Sequence, residues 1–178
     1  MSGRLRVATV WLDGCSGCHM SFLDMDELLL ELAPRLELAY SPLVDRKEFP
    51  DRVDLALLEG AVSTPEDEAK ARLVRAHSRL VVALGDCACQ GNVPALRNRL
   101  DNEQLLDLVY RQQADGPAAA PPDRNVPPLL THSLPLHRVI AVDLFLPGCP
   151  PPPAAIVRAL TAVLDGETLS ELPTLKFG

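Results

Sequence analysis

No stretch of this sequence approaches the roughly 20 consecutive apolar residues that a membrane-spanning helix requires, although 47% of its 178 residues are hydrophobic. A transmembrane role is therefore not expected. Lysine and arginine number 17 against 24 aspartates and glutamates. No basic stripe gathers those cations, so the clustered charge that grips a phosphate backbone is missing and nucleic acid is not an expected partner. The first ten residues contain Arg4 and Arg6 but no twin-arginine pair, and they lead straight into a strand-like segment. The chain is accordingly expected in the cytoplasm, where thiols stay reduced, and its five cysteines make a poor disulfide set. Internal repeats are also missing. The length suits a single domain, residues 1–178, with a core of its own.

What remains is a regular alternation of elements. Arg4–Leu12 (RLRVATVWL) is rich in β-branched and apolar residues and stops at Asp13-Gly14, as a buried first strand would. Phe22, Met25, Leu29 and Leu32 recur at helical spacing, which predicts a helix over 21–32 with Pro34 marking its end. Strands are expected at 36–44, 53–58, 79–84 and 139–146. Thr64 and Pro65 followed by Glu66, Asp67 and Glu68 announce a second helix reaching about Ser78, because a hydroxyl cap and acidic first turn satisfy exposed amides and the helix dipole. Further helices are expected at 101–111, capped by Asp101, and at 153–165, stopped by Gly166. Between them, residues 112–137 carry Pro117, Pro121, Pro122, Pro127, Pro128 and Pro135 and form a long surface segment suited to facing a partner. Alternating strands and helices imply right-handed βαβ units, hence an α/β, flavodoxin-like fold: an open parallel sheet with helices on both faces.

The cysteines fall at related places on that plan. Cys15 and Cys18 follow the first strand, Cys87 follows the strand ending at Leu84, and Cys149 follows the one ending at Leu146. In a parallel sheet the carboxyl ends of strands share one edge, so residues far apart in sequence converge there. Gly14, Gly17, Gly85 and Gly148 permit tight turns beside bulky sulfur, and the prolines after Cys149 stiffen its loop. An iron–sulfur centre fits this pattern. A four-cysteine zinc site usually draws on two paired knuckles, whereas one pair and two singletons occur here. Buried thiols as small core hydrophobes or a CxxC redox dithiol remain as simpler readings, the latter leaving Cys87 and Cys149 unexplained. Cys89 competes with Cys87, which is preferred because it follows the Gly85 turn directly.

Cys15-Ser16-Gly17-Cys18 after Trp11-Leu12, Glu59-Gly60-Ala61-Val62, Gly85-Asp86-Cys87-Ala88 and Leu146-Pro147-Gly148-Cys149-Pro150-Pro151 together resemble the small subunit of nickel–iron hydrogenases, in order and over nearly the whole chain. The resemblance implies one 4Fe-4S cluster on Cys15, Cys18, Cys87 and Cys149, proximal to a nickel–iron centre carried by a separate, obligate large subunit. The short form is similar to the small subunit of soluble, NAD-reducing bidirectional hydrogenases. That likeness implies a hydrogen:NAD oxidoreductase in which diaphorase subunits bring FMN, NAD and further iron–sulfur clusters. It also implies electron transfer. Hydrogen activation is expected on the large subunit, since a second cysteine set with paired CxxC spacing is missing here, and although the fold leaves a flavin open, no FMN is expected, since cysteines occupy the first loop in place of a phosphate-cradling Ser/Thr-rich turn. A related complex I-like subunit carries adjacent cysteines in its first motif, unlike the spaced pair here. A zinc-stabilised binding module is the alternative of another class. Where many relatives have a glutamate two residues after the second cysteine, this sequence has Met20, preceded by His19. Glu59 matches the family's Glu-Gly pair and is either a proton relay beside the cluster or a solvated carboxylate at a strand end. His19 is expected on the surface, and neither Asp13 nor Trp11 is expected to be essential.

Overall fold

The computed structural model describes residues 4–116 and 120–167. Five parallel strands lie in the order β2-β1-β3-β4-β5, with β1 at Leu5–Trp11, β2 at Leu36–Tyr40, β3 at Val53–Glu59, β4 at Ser78–Leu84 and β5 at Leu144–Leu146. This is the flavodoxin-like order, and its switch point falls between β1 and β3, where connections leave in opposite directions. Side chains alternate across the sheet with period two. Val7, Leu55, Leu57, Val82, Leu84 and Leu146 enter one hydrophobic cluster. Ala8, Val10, Ala56, Leu58, Val81 and Ala83 enter the cluster on the opposite face. β3 is buried along nearly its whole length, as a central strand covered on both faces must be.

Helices α1 (Gly17–Leu23), α2 (Glu27–Leu32) and α6 (Pro153–Leu164) cover the first cluster through Phe22, Leu32, Ile156 and Leu160, joined by Met25 from the turn between α1 and α2. Helices α3 (Pro65–His77) and α4 (Gly85–Gln90) cover the second through Ala71, Val74 and Ala88. The remaining helix, α5 (Asn102–Asp107), runs on into a π-helical turn at Leu108–Gln112. The cap expected at Thr64 forms in full: its hydroxyl accepts from the Asp67 amide at 3.1 Å, and Asp67 Oδ2 accepts from the Thr64 amide at 3.0 Å. Ile156 is completely buried between α6 and the sheet. Ile156→Ala is expected to destabilise the fold by about 2–5 kcal/mol through lost burial and a residual cavity, read as a lower denaturation midpoint.

Three expected elements differ in extent. The 21–32 helix is broken, because Asp26 adopts φ 49° and starts a separate helix. The break lets Phe22, Met25 and Leu32 all reach the core while Asp24 and Asp26 stay in water. The strand expected over 139–146 is confined to Leu144–Leu146. Asp143 Oδ2 accepts from the Val81 amide at 2.7 Å, so a side chain replaces a ladder bond and pairing starts one residue later. Ile140 and Val142 pack instead on the second cluster. The strand expected over 36–44 ends at Tyr40.

The proline-rich segment is anchored at its end: Leu130 donates to the Ser63 carbonyl at 2.8 Å, and Val62 pairs with Leu134 in an antiparallel bridge. Pro117 and the chain ends in the 1–178 span lie outside the described residues.

Candidate iron–sulfur site

The carboxyl ends of β1, β3, β4 and β5 all open on one edge, and a hollow of about 70 Å³ there is lined by Cys15, Cys18, Cys87, Cys149 and Glu59. Each loop is tied to its neighbour. Leu12 donates to the Glu59 carbonyl at 3.0 Å, and Asp13 and Ala61 exchange backbone hydrogen bonds at 3.0 and 2.7 Å, which locks the Cys15 loop to the end of β3. Asp86 donates from its amide to the Gly148 carbonyl at 2.9 Å and accepts from the Gly148 amide at 2.8 Å through Oδ1. That two-way clamp fixes the Cys149 loop against the Cys87 loop. The Ser21 hydroxyl donates to the Pro151 carbonyl and ties α1 to the same loop.

Gly85 opens α4 with φ +84°, and a Cβ there would overlap the Cys18 sulfur. Only glycine lets β4 turn into α4 this close to the thiol. Cys87 therefore sits in a helix and not in the open turn expected of it.

The thiols differ in environment. Burial pushes the Cys18 thiol far up, and the neighbouring charges of Glu59, Cys87, Cys15 and Cys149 push it the same way. Burial also raises Cys87, with Cys149 and Cys15 adding to the rise, while the Val93 amide and the Asn92 side chain draw it back down. The sulfurs thus feel one another's charge across the hollow. Ionised together they would repel, and cationic metal held among them removes that repulsion and the proton at once. The donor set therefore fits an iron–sulfur cluster, which takes its ligands as thiolates. Among the described residues, no three Cys, His, Asp or Glu side chains close on a point that a single ion could fill.

Cys89, two residues beyond Cys87, turns away into the second cluster, with its Sγ 3.5 Å from the Ala83 carbonyl. Burial pushes its thiol up to about 12. Cys89→Ala is expected to leave iron content unchanged. Native Cys89 should also resist iodoacetamide until the chain unfolds, because only the thiolate alkylates.

Two residues stand differently from expectation. His19 is buried, not on the surface: its Nε2 shares a hydrogen bond with Thr9 Oγ1 at 2.9 Å, and its amide donates to Glu59 Oε2 at 2.7 Å. Its Nδ1 also lies 2.7 Å from that oxygen, in a geometry that misses a directed hydrogen bond. Glu59 is 1% exposed, which overturns the solvated reading of its carboxylate. Thr9 in turn donates to Ser41 Oγ at 2.7 Å, so a buried polar row crosses behind β1. Thr9 between Val7-Ala8 and Val10 is the one sequence signal of that row. Asp86 and Asn92 carry no such signal in the sequence. Trp11 donates to the Gly14 carbonyl at 3.1 Å and leaves its ring half-exposed, while Asp13 accepts from the Ser63 hydroxyl.

Residues 15–163 match the family described as NADH ubiquinone oxidoreductase, 20 Kd subunit. One subunit of the F420-non-reducing hydrogenase vhu of Methanocaldococcus jannaschii is 40% identical over 171 residues, 96% of this chain and 59% of that protein. The chain thus spans about three fifths of the length of such relatives. The delta subunit of the NAD-reducing hydrogenase HoxS of Cupriavidus necator is 36% identical over 97% of this chain and 84% of its own length. Among solved structures, a chain of an NAD+-reducing [NiFe]-hydrogenase in the H2-reduced state superposes with a TM-score of 0.89 at 41% identity, covering 99% of this chain and 100% of that one.

Proposed function

The chain belongs to the NADH ubiquinone oxidoreductase 20 Kd subunit family and, within it, to the hydrogenase small subunits; from that membership we propose that it carries electrons in a cytoplasmic, NAD-reducing nickel–iron hydrogenase. One 4Fe-4S cluster is held by Cys15, Cys18, Cys87 and Cys149. The observation that carries this reading is four sulfurs from three strand-end loops around a single hollow. A zinc ion would draw every sulfur to about 2.3 Å and leave no hollow between them.

When bound, the cluster supplies one-electron redox chemistry. The chain's own residues hold it and set its surroundings. The paired loops keep four sulfurs on a rigid sheet edge, so geometry changes little as charge comes and goes. Trp11, Met20 and Val93, each within a few residues of a cysteine that lines the hollow, leave about half or more of their surface exposed. They suit an apolar contact with the hydrogenase large subunit, an obligate partner burying above about 2,000 Å². The nickel–iron centre belongs to that subunit, and FMN, NAD and further clusters to the diaphorase subunits. The NAD-linked type is preferred over the F420-non-reducing type because the match to the NAD+-reducing structure spans the whole of that chain. Among the described residues no helix is long and apolar enough to cross a membrane.

Glu59 Oε2 receives the His19 amide beside the hollow and heads the row through His19, Thr9 and Ser41. In this reading it holds and passes a proton. Glu59→Gln keeps the hydrogen-bond acceptor and loses the titrating oxygen, so hydrogen turnover should fall about 10²-fold or more with the cluster spectrum unchanged. Unaltered turnover would remove the relay.

The direct test is metal analysis with low-temperature EPR on the chain isolated anaerobically with its partners. Iron with sulfide and a reduced-state cluster signal that disappears in a Cys149→Ser complex is the expected result. Zinc in place of iron, or a signal indifferent to that substitution, sinks the assignment.

A further inference from the structure

Iron–sulfur potentials respond to hydrogen bonds aimed at the sulfurs, because each N–H···S bond is stronger when the cluster holds the extra electron. Among the described residues one backbone donor reaches these thiols: Gly17 donates to Cys15 Sγ at 3.4 Å.

One side chain joins it. Asn92 Nδ2 lies 3.6 Å from Cys149 Sγ. A carboxamide nitrogen donates, and a thiolate only accepts. The NH2 end is thus the one that fits against the sulfur. Among the described residues no other side chain donates to any of the four.

The backbone at Asn92 is also unusual. It follows α4 and Gly91 with φ 41°, in the left-handed region that L residues other than asparagine and aspartate seldom adopt. Held there, the side chain swings back over the hollow. The chain beyond is anchored: Asn98 Oδ1 accepts from the Ser133 amide at 2.7 Å, and its Nδ2 donates to the Ser133 carbonyl at 2.9 Å.

We propose that Asn92 is a positioning residue that donates an N–H to the Cys149 sulfur and raises the reduction potential of the cluster that sulfur would hold. The proposal rests on the cluster reading above. Loss of that hydrogen bond weakens the reduced state relative to the oxidised one. Asn92→Gly keeps the left-handed backbone and deletes the donors. Asn92→Asp keeps shape and backbone, removes the donors and adds a negative charge.

The test is an EPR-monitored redox titration of the complex isolated with its native partners, with iron content measured on each preparation. The electron affinity of this cluster should fall about tenfold in Asn92→Gly, a midpoint about 59 mV lower for a one-electron couple, and further in Asn92→Asp. In the wild-type complex, pulsed EPR should show a weak nitrogen coupling that Asn92→Gly loses. Midpoints unchanged in both variants, or iron lost from both, would overturn the proposal: the first leaves Asn92 a turn residue, the second makes it a scaffold for the site. A wild-type complex with no cluster signal dependent on Cys149 would instead defeat the underlying assignment, so the two failures are separable.

Discussion

Replacing Cys18 with alanine is expected to strip the chain of its cluster and reduce electron transfer through it to background, with the fold retained. Among the four candidate ligands Cys18 is the one that burial and every neighbouring sulfur push hardest toward the protonated form. Metal would have to displace that proton to gain this sulfur as a ligand. Removing the sulfur leaves three candidate ligands, of which Cys15 and Cys149 are exposed. The substitution is small and the thiol partly buried, so secondary structure should stay intact by circular dichroism. Iron content and the cluster signal should disappear together. The Cys89→Ala chain serves as the control, since Cys89 lies behind the sheet edge and points into the apolar cluster. A Cys18→Ala complex that keeps its iron would show that this sulfur is no ligand.

Gly85→Ala should be nearly as damaging by a different route. The alanine must hold φ +84°, a strain of about 1–3 kcal/mol, and its Cβ would enter the space of the Cys18 sulfur. That neighbour cannot withdraw without leaving the position from which it would ligate. Iron content should fall to a small fraction of wild type, and the unfolding free energy should drop by several kcal/mol in all. Gly166 provides the comparison: its φ is +75°, yet a Cβ there meets nothing within 4 Å. Gly166→Ala should cost only the backbone part and keep all the iron. Equal iron in the two variants would mean that Gly85 is needed for the turn alone.

How far the site is legible before folding depends on the kind of signal. Cysteines immediately after apolar strands can be placed on one sheet edge, because a parallel sheet collects its carboxyl ends there. The choice of Cys87 over Cys89 is harder. In the short helix α4 the two point in different directions: Cys87 lines the hollow, and Cys89 joins the core. His19 cannot be placed from sequence at all. It looks like a polar residue beside an exposed loop, and its burial depends on Thr9 and Glu59, ten and forty residues away, offering partners. Asn92 likewise reads as an ordinary turn residue after Gly91 until the Cys149 loop is laid beside it. The shortened β5 follows from Asp143 reaching a neighbouring strand's amide, a long-range bond that local apolarity does not register.

Local chemistry alone settled the class of fold and the faces of the helices, because periodicity, caps and strand-end cysteines are written in consecutive residues, while the family was legible only as a resemblance carried by four motifs. Tertiary structure alone decided which polar groups are buried, which thiol turns into the core and which side chains reach the sulfurs. Those properties depend on loops that are remote in the chain and meet only once the sheet has brought their ends together.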